Sequence, residues 1–274
     1  MTDLDGTLLN EKREISDANR RALLACMARG IVVVLASGRS KTAVARVAAQ
    51  YGIEGPIASV NGARVDLSAD GPMLYEQTID RLTALVTFEI MKRSEIYFTC
   101  YGHGTLFKNN TFAAQDRVKG EKRMEAQMAM QVNRTEVVIS DESRTIEEGL
   151  VDPYKFVAFT EDMPKLNALR DRLIESQLPL EISSSWIDNI EVMAKDTGKD
   201  RALFALCDHF GFEPSQVMAF GDNINDVPML KAAGVGVAMG NALDAVKAHA
   251  QIIAGHHAQS AVAEVINAHI LGEA

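Results

Sequence analysis

Residues 31–35, Ile-Val-Val-Val-Leu, form an apolar, largely β-branched run between two helix-patterned segments, and this arrangement limits most sharply what the chain can fold into. Such a run reads as a strand buried on both faces. Ahead of it, Ser16 is placed to cap a helix whose apolar positions Ala22, Leu23, Cys26 and Met27 follow helical spacing, with Gly30 where a C-terminal glycine would end it. Behind it the unit repeats. Ser40 opens a helix with Val44, Val47 and Ala48 inward, closing near Gly52, and residues 56–60 make another short strand. The alternation predicts a parallel sheet with helices on both faces, where ligands gather at the carboxyl ends of the strands.

From about Val65 the texture changes to strands of alternating polarity, at residues 95–101 and 135–139, separated by polar helices. That pattern predicts an antiparallel sheet with helices on one side. An amphipathic helix over 163–176 and strands over 180–184 and 189–193 complete this middle region. After Lys195 the α/β alternation returns, with a helix over 201–210, a strand over 217–220, a helix over 228–233 and a strand over 235–239. The expected fold class is therefore α/β, a Rossmann-like parallel sheet core with an inserted α+β cap domain. Its discontinuous core is expected over residues 1–80 and 190–274, and its cap over 81–189.

At 274 residues, 47% of them apolar, the chain is long enough for two moderate domains with their own cores. A net charge of −9 leaves no basic excess to neutralise phosphates, which argues against a nucleic-acid or anionic-membrane partner and in favour of a small substrate. Cys26, Cys100 and Cys207 are widely scattered, with no spacing that suggests zinc or a redox couple, and read as reduced thiols. The wholly apolar runs, residues 31–36 among them, are too short to span a bilayer. These features predict a soluble, cytoplasmic protein, and they leave its oligomeric state open.

Chemistry concentrates in four places. Asp3-Leu4-Asp5-Gly6-Thr7-Leu8-Leu9 sets two carboxylates two residues apart ahead of a glycine turn: one Asp can attack phosphorus and the other can serve as acid and base. The same run also reads as a solvated turn; a calcium loop is excluded, because the third ligand position is Thr7 followed by two leucines. The strand at 31–35 ends in Ala36-Ser37-Gly38-Arg39, a turn that can hold a phosphate or simply cap the next helix. Gly198-Lys199 opens a helix, where the lysine could neutralise a bound dianion or merely be solvated. Gly221-Asp222-Asn223-Ile224-Asn225-Asp226 follows another strand; its two Asp residues can face one hard cation such as Mg²⁺, or cap the helix.

Taken in order, these pieces resemble the four motifs of the haloacid dehalogenase superfamily of phosphatases. The long insertion between the second and third motifs resembles the larger α/β cap of its Cof-type sugar-phosphatase branch. Asn61-Gly62-Ala63, residues 225–230 (Asn-Asp-Val-Pro-Met-Leu) and residues 236–242 (Gly-Val-Ala-Met-Gly-Asn-Ala) are similar to that branch too. The resemblance implies Asp3 as nucleophile, Asp5 as acid and base, and Thr7 as the residue that orients Asp5. It implies Ser37, Gly38, Lys199 and Asn225 as phosphate-binding residues. Asp3, Asp5 through its backbone carbonyl, Asp222 and Asp226 would hold or support Mg²⁺. The implied activity is Mg²⁺-dependent hydrolysis of small phosphomonoesters, sugar phosphates foremost. A phosphomutase-like transfer to a second hydroxyl, or a catalytically silent metabolite binder, are the alternatives.

Members of this superfamily normally carry a hydrophobic strand of several residues before the nucleophile, where here only Met1 and Thr2 precede Asp3. About five buried apolar side chains at ~1.5–3 kcal/mol each amount to roughly 8–15 kcal/mol. That is comparable with the whole stability of a domain, about 5–15 kcal/mol. The expectation is that Met1 is an internal methionine of a longer natural chain, and that an α-amino group at Met1 would pair with Asp3. Residues 255–260, with His256 and His257, read as a variable surface loop rather than a metal site. Tyr97, Tyr101, His103 and Trp186 read as packing residues, as do Met124, Met128 and Met130. Arg39 is open between orienting core and cap and reaching the substrate.

Overall fold

The computed structural model describes residues 1–102, 105–109, 135–139, 142–149, 151–184 and 187–272. The chain divides into two compact units, Met1–Glu76 with Gly198–Ala274, and Gln77–Thr197. His103, Trp186, Met124, Met128 and Met130 lie outside the described residues.

The first unit opens with α1 (Asp17–Ala28), capped by the Ser16 hydroxyl, which accepts from the Asn19 N–H at 3.2 Å. It continues through β1 (Leu35–Ala36), α2 (Lys41–Tyr51), β2 (Ile57–Ser59), β3 (Arg64–Asp66) and β4 (Met73–Glu76). Gly52 ends α2 in the left-handed conformation, as its position in the pattern predicts. Strands β1 and β2 pair in parallel, whereas β3 and β4 extend the sheet antiparallel. The ladder at β1 is shorter than the apolar run 31–35. On one side its partner is Thr2, which bridges Leu35 at a single point.

The second unit holds α3 (Arg81–Arg93), β5 (Tyr97–Tyr101), β6 (Thr105–Asn109), β7 (Thr135–Ile139), α4 (Glu142–Glu147), β8 (Lys155–Phe159), α5 (Met163–Glu175), β9 (Leu180–Ser183) and β10 (Asn189–Ala194). Its sheet runs β7-β6-β5-β8-β10-β9. All its pairs are antiparallel except β6 with β7, which is parallel, a departure from the expected antiparallel sheet. A parallel pair cannot be joined by a short hairpin turn. Side chains alternate in and out of the core: Phe98, Cys100, Phe156, Ala158, Ile190 and Val192 face Ala84, Phe88, Leu166 and Leu169 of α3 and α5. The division at 197/198 falls later than residue 190, because β10 completes its pairing with β8 and β9 before the chain leaves the sheet.

The first unit resumes with α6 (Lys199–Phe210), β11 (Met218–Gly221), α7 (Val227–Ala232), β12 (Val235–Ala238), α8 (Asp244–Lys247), β13 (Ile252–Ile253) and α9 (Ala261–Ile266). Strands β11, β12 and β13 are parallel neighbours, and Thr2 bridges both Leu35 and Phe220 in parallel. The order across the sheet is thus β13-β12-β11-Thr2-β1-β2-β3-β4. Leu35 and Ile57 pack with Leu23 and Val44, while Val34, Ala36 and Ala58 pack with Ala202, Leu203 and Met229, so both faces are covered. The α-amino nitrogen of Met1 donates to the Met218 carbonyl at 2.8 Å and does not pair with Asp3, because the strand-like pairing of residues 1–3 directs it along the sheet. The three cysteines are buried thiols. Among the described residues no helix is long and apolar enough to cross a membrane.

Candidate active site

Three of the four motifs, and Asn61, leave the sheet at the carboxyl end of a parallel element: Asp3 after Thr2, Ser37 after β1, Asn61 after β2, Asp222 after β11; Lys199 stands instead at the start of α6. The carboxyl edge is the one at which open α/β sheets bind ligands. The chain order of the motifs becomes a spatial cluster only because these elements are neighbours in the sheet.

Lys199, the first residue of α6, is wholly buried. Its Nζ donates to Asp3 Oδ1 and to Asp226 Oδ1, each at 2.5 Å. Asp226 Oδ2 accepts the N–H groups of Asp222 and Asn223, both at 3.0 Å, so this carboxylate has protein donors on both oxygens and braces the loop after β11. Ligand oxygens of Asp3, Asp222 and Asp226 lie within 4.8 Å of one another. Burial, against the pull of Lys199, holds Asp3 well above the usual carboxylate range, and the neighbouring Asp226, Asp222 and Asp5 add to it. Burial and then the Asp226 charge push Asp222 up to about 6. For Lys199, burial opposes the charge, yet Asp226 and Asp3 more than reverse it and its pKa is raised. Burial thus raises Asp3 and Asp222 first, and the crowded negative charge adds to it while raising Lys199 against its own burial.

Asp222 is held from the opposite side. Thr7, fully buried, donates its hydroxyl to Asp222 Oδ1 at 2.7 Å, where the sequence had suggested a link to Asp5. Gly6 has φ near +81°, and a Cβ there would collide with the Asp222 carboxylate, so the turn needs glycine for both backbone shape and closeness.

Asp5 lies apart from the three clustered carboxylates. Its side chain is 42% exposed, and the Arg39 guanidinium grips it in a fork, Nε to Oδ2 at 2.7 Å and Nη2 to Oδ1 at 2.5 Å. Ser37 is buried, and its hydroxyl oxygen accepts the Arg39 N–H at 3.3 Å, which leaves its own hydrogen to donate. Asn61 adopts the left-handed conformation that a short amide side chain tolerates. Its N–H reaches the Ser37 carbonyl at 3.0 Å, and its Oδ1 accepts from Asn225 Nδ2 at 3.1 Å. Gly38 packs against the same Asn61 side chain, so Ser37, Gly38, Asn61 and Asn225 form one connected patch.

A sequence profile of haloacid dehalogenase-like hydrolases matches residues 1–266. The chain belongs to that family. Within the family it is 31% identical over 273 residues to the 5-amino-6-(5-phospho-D-ribitylamino)uracil phosphatase YcsE of Bacillus subtilis, covering 98% of this chain and 94% of that protein. It is 27% identical over 272 residues to the pyridoxal phosphate phosphatase YbhA of Escherichia coli, covering 98% and 97%. Among solved structures, a haloacid dehalogenase-like hydrolase from B. subtilis superposes with a TM-score of 0.84 at 27% identity, over 98% of both chains. The α/β core with its cap is therefore the haloacid dehalogenase-like fold.

Sequence reasoning left three features of this family site unassigned: the Arg39 fork on Asp5, the Asn61–Asn225 amide pair, and the link from Asn241 Nδ2 to the Gly6 carbonyl at 2.8 Å. Each joins residues far apart in the chain, and only the order of strands brings them together. The positive φ of Asn61 was foreshadowed by its place before Gly62.

Proposed function

We propose that the chain hydrolyses small phosphomonoesters, with Mg²⁺ as cofactor and an aspartyl-phosphate as intermediate. The observation that carries this reading is the surplus of buried charge around Lys199, where Asp3, Asp222 and Asp226 crowd a single ammonium. A donor set made only of carboxylate oxygens suits a hard divalent cation. Asp226 has both oxygens occupied by protein donors, so Asp3, Asp222 and the backbone carbonyl of Asp5 are the residues that would hold the ion, with Asp226 supporting them. When bound, Mg²⁺ supplies positive charge to the phosphoryl oxygens.

In this reading an Asp3 oxygen forms a bond to phosphorus while the bond from phosphorus to the leaving oxygen breaks. Asp5 gives that oxygen a proton. Asp5 then takes a proton from water, whose oxygen attacks phosphorus and frees Asp3 together with inorganic phosphate. In this structure Arg39 grips both oxygens of the Asp5 carboxylate, and in this reading one arm of the fork releases when Asp5 carries the proton. Ser37, Gly38 and Lys199 bind the phosphoryl oxygens, and Asn225 holds Asn61 against that patch. Most of the rate enhancement comes from positioning and charge neutralisation. We further propose that Met1–Glu76 with Gly198–Ala274 is the catalytic core and Gln77–Thr197 the cap.

The relatives that act on pyridoxal phosphate and on a phosphoribityl-aminouracil point to small phosphorylated metabolites, sugar phosphates among them, as the substrate class. The test is phosphate release from a panel containing pyridoxal 5′-phosphate, flavin precursors and hexose phosphates, with and without Mg²⁺, for wild type and Asp3→Asn. Metal-dependent release that the substitution abolishes is expected. A folded wild-type protein that releases no phosphate from any member would overturn the proposal, and an isomerised phosphosugar in place of free phosphate would convert it to a mutase.

A further inference from the structure

The outward carbonyls of the turn that carries Asp3, Asp5 and Thr7 are held by side chains from distant parts of the chain. The Gly6 carbonyl accepts from Asn241 Nδ2 at 2.8 Å, the Leu8 carbonyl from Asn19 Nδ2 at 3.2 Å, and the Leu9 carbonyl lies 2.7 Å from His257 Nδ1. A carbonyl only accepts, so this ring nitrogen carries the proton. Both asparagines use the other end of the amide on the C-terminal segment. Asn241 Oδ1 accepts the His257 N–H at 3.1 Å, and Asn19 Oδ1 accepts the Ala263 N–H at 2.9 Å. Asn241 follows β12 and His257 follows β13, so both stand at the same sheet edge as Asp3 and Asp222.

We infer that Asn241 and His257 are positioning residues: they clamp the Gly6 and Leu9 carbonyls so that the turn presents Asp3, Asp5 and Thr7 in register with Asp222. The inference rests on the proposed phosphatase reading. The mechanical link is short. Gly6 abuts the Asp222 carboxylate, and the adjacent Thr7 donates to it, so a displacement of the Gly6 carbonyl moves both supports of Asp222 at once. Asn19 is buried beneath the turn and belongs to the packed interior, whereas Asn241 and His257 are half-buried and close the network from the edge. His257 is thereby a structural donor; its Nδ1 is committed to a carbonyl and not to a metal.

The experiment compares wild type, Asn241→Ala, His257→Ala and His257→Asn by steady-state kinetics on p-nitrophenyl phosphate, thermal melting, and hydrogen exchange of the peptide spanning residues 1–12. Asn241→Ala should lower kcat by roughly 10- to 100-fold, the scale expected of a small misplacement of reacting groups. KM should stay within about threefold, since substrate binding is not what the clamp serves. Exchange should accelerate in the 1–12 peptide while α1 and α6 keep wild-type protection. His257→Ala should act in the same direction, and His257→Asn, which restores a donor, should recover part of the loss. Wild-type kcat and wild-type exchange in both alanine variants would overturn the inference. So would a loss of protection spread over the whole first unit with kcat per folded molecule unchanged, the result of a merely structural role. If the wild type hydrolyses no ester, the phosphatase reading falls and the exchange data alone decide whether the clamp exists.

Discussion

Among the described residues two lysines are buried, one in each unit, and their surroundings differ in a way that separates a charged site from packing. Lys155, in the second unit, pairs with Glu191 at 3.2 Å and sits 4.9 Å from the centre of the Tyr101 ring. Cation and anion cancel there. Lys199, in the first unit, faces Asp3 and Asp226, with Asp222 beside them, and the local charge stays negative. A neutral buried pair is replaceable by apolar side chains at little cost, whereas a buried cluster with surplus charge persists only where something else supplies the missing charge. The comparison assigns Lys155 to architecture and supports the proposal that Lys199 belongs to a cation- and phosphate-binding site.

The largest break in that comparison is Asp3→Asn. Loss of the nucleophile should cut phosphate release by about 10⁴-fold or more, as removal of a covalent catalytic residue does elsewhere. The same change removes one of the crowded carboxylates, so the metal-free melting temperature should rise rather than fall. Activity and stability measured on one preparation check both halves; a variant that loses both would mean that Asp3 is a structural partner of Lys199. Lys199→Met attacks the cluster from the other side. It leaves Asp3 and Asp226 buried without their cation and should cost about 3–5 kcal/mol, read as a lower urea midpoint.

Divalent metal should supply the charge that Lys199 alone does not. Mg²⁺ at ~100 times its dissociation constant should stabilise the wild type by about 2.7 kcal/mol. Asp222→Asn, which removes a carboxylate free of the Lys199 contact, should abolish most of that gain while leaving the metal-free stability close to wild type. Melting curves with and without Mg²⁺ on both proteins are the measurement, and an equal shift in the two would move the cation elsewhere.

The two environments were not equally legible in the sequence. The motifs around Lys199 are local strings, because each turn at a strand end must provide its own backbone shape and donors within a few residues: Asp3 to Thr7, Ser37 to Arg39, Asp222 to Asp226. The alternation of residues 31–35 with its flanking helices likewise carried the parallel sheet. What the chain could not show locally is which turns meet. The Arg39 fork on Asp5 spans 34 residues and the Asn241 contact with Gly6 spans 235, and both depend on the order of strands in the sheet. The resemblance implied that Thr7 helps to orient Asp5; in the structure the turn through Gly6 directs its hydroxyl to Asp222. The parallel pairing of β6 with β7 was hidden for a similar reason: alternation fixes the face of a strand, not the direction of its neighbour.

The smallest expected effect is the most pointed test of the contrast. Lys155→Met alone removes the buried cation beside Glu191, which is only 5% exposed, and should cost about 3–5 kcal/mol. Glu191→Leu alone removes the buried anion beside Lys155 and should cost a similar amount. Together they replace the pair by apolar side chains between Val157 and Met193, and the double variant should lie within about 1 kcal/mol of wild type or above it. No equivalent rescue exists in the first unit: Lys199→Met combined with Asp226→Leu still leaves Asp3 and Asp222 facing each other, and Asp226→Leu also removes the acceptor of two loop N–H groups. A double-mutant cycle in each unit, read by urea midpoint, should therefore show strong compensation at Lys155 and Glu191 and weak compensation at Lys199 and Asp226. Equal compensation in both would mean that the surplus of carboxylates around Lys199 carries no energetic penalty, and the argument for a cation there would lose its physical basis.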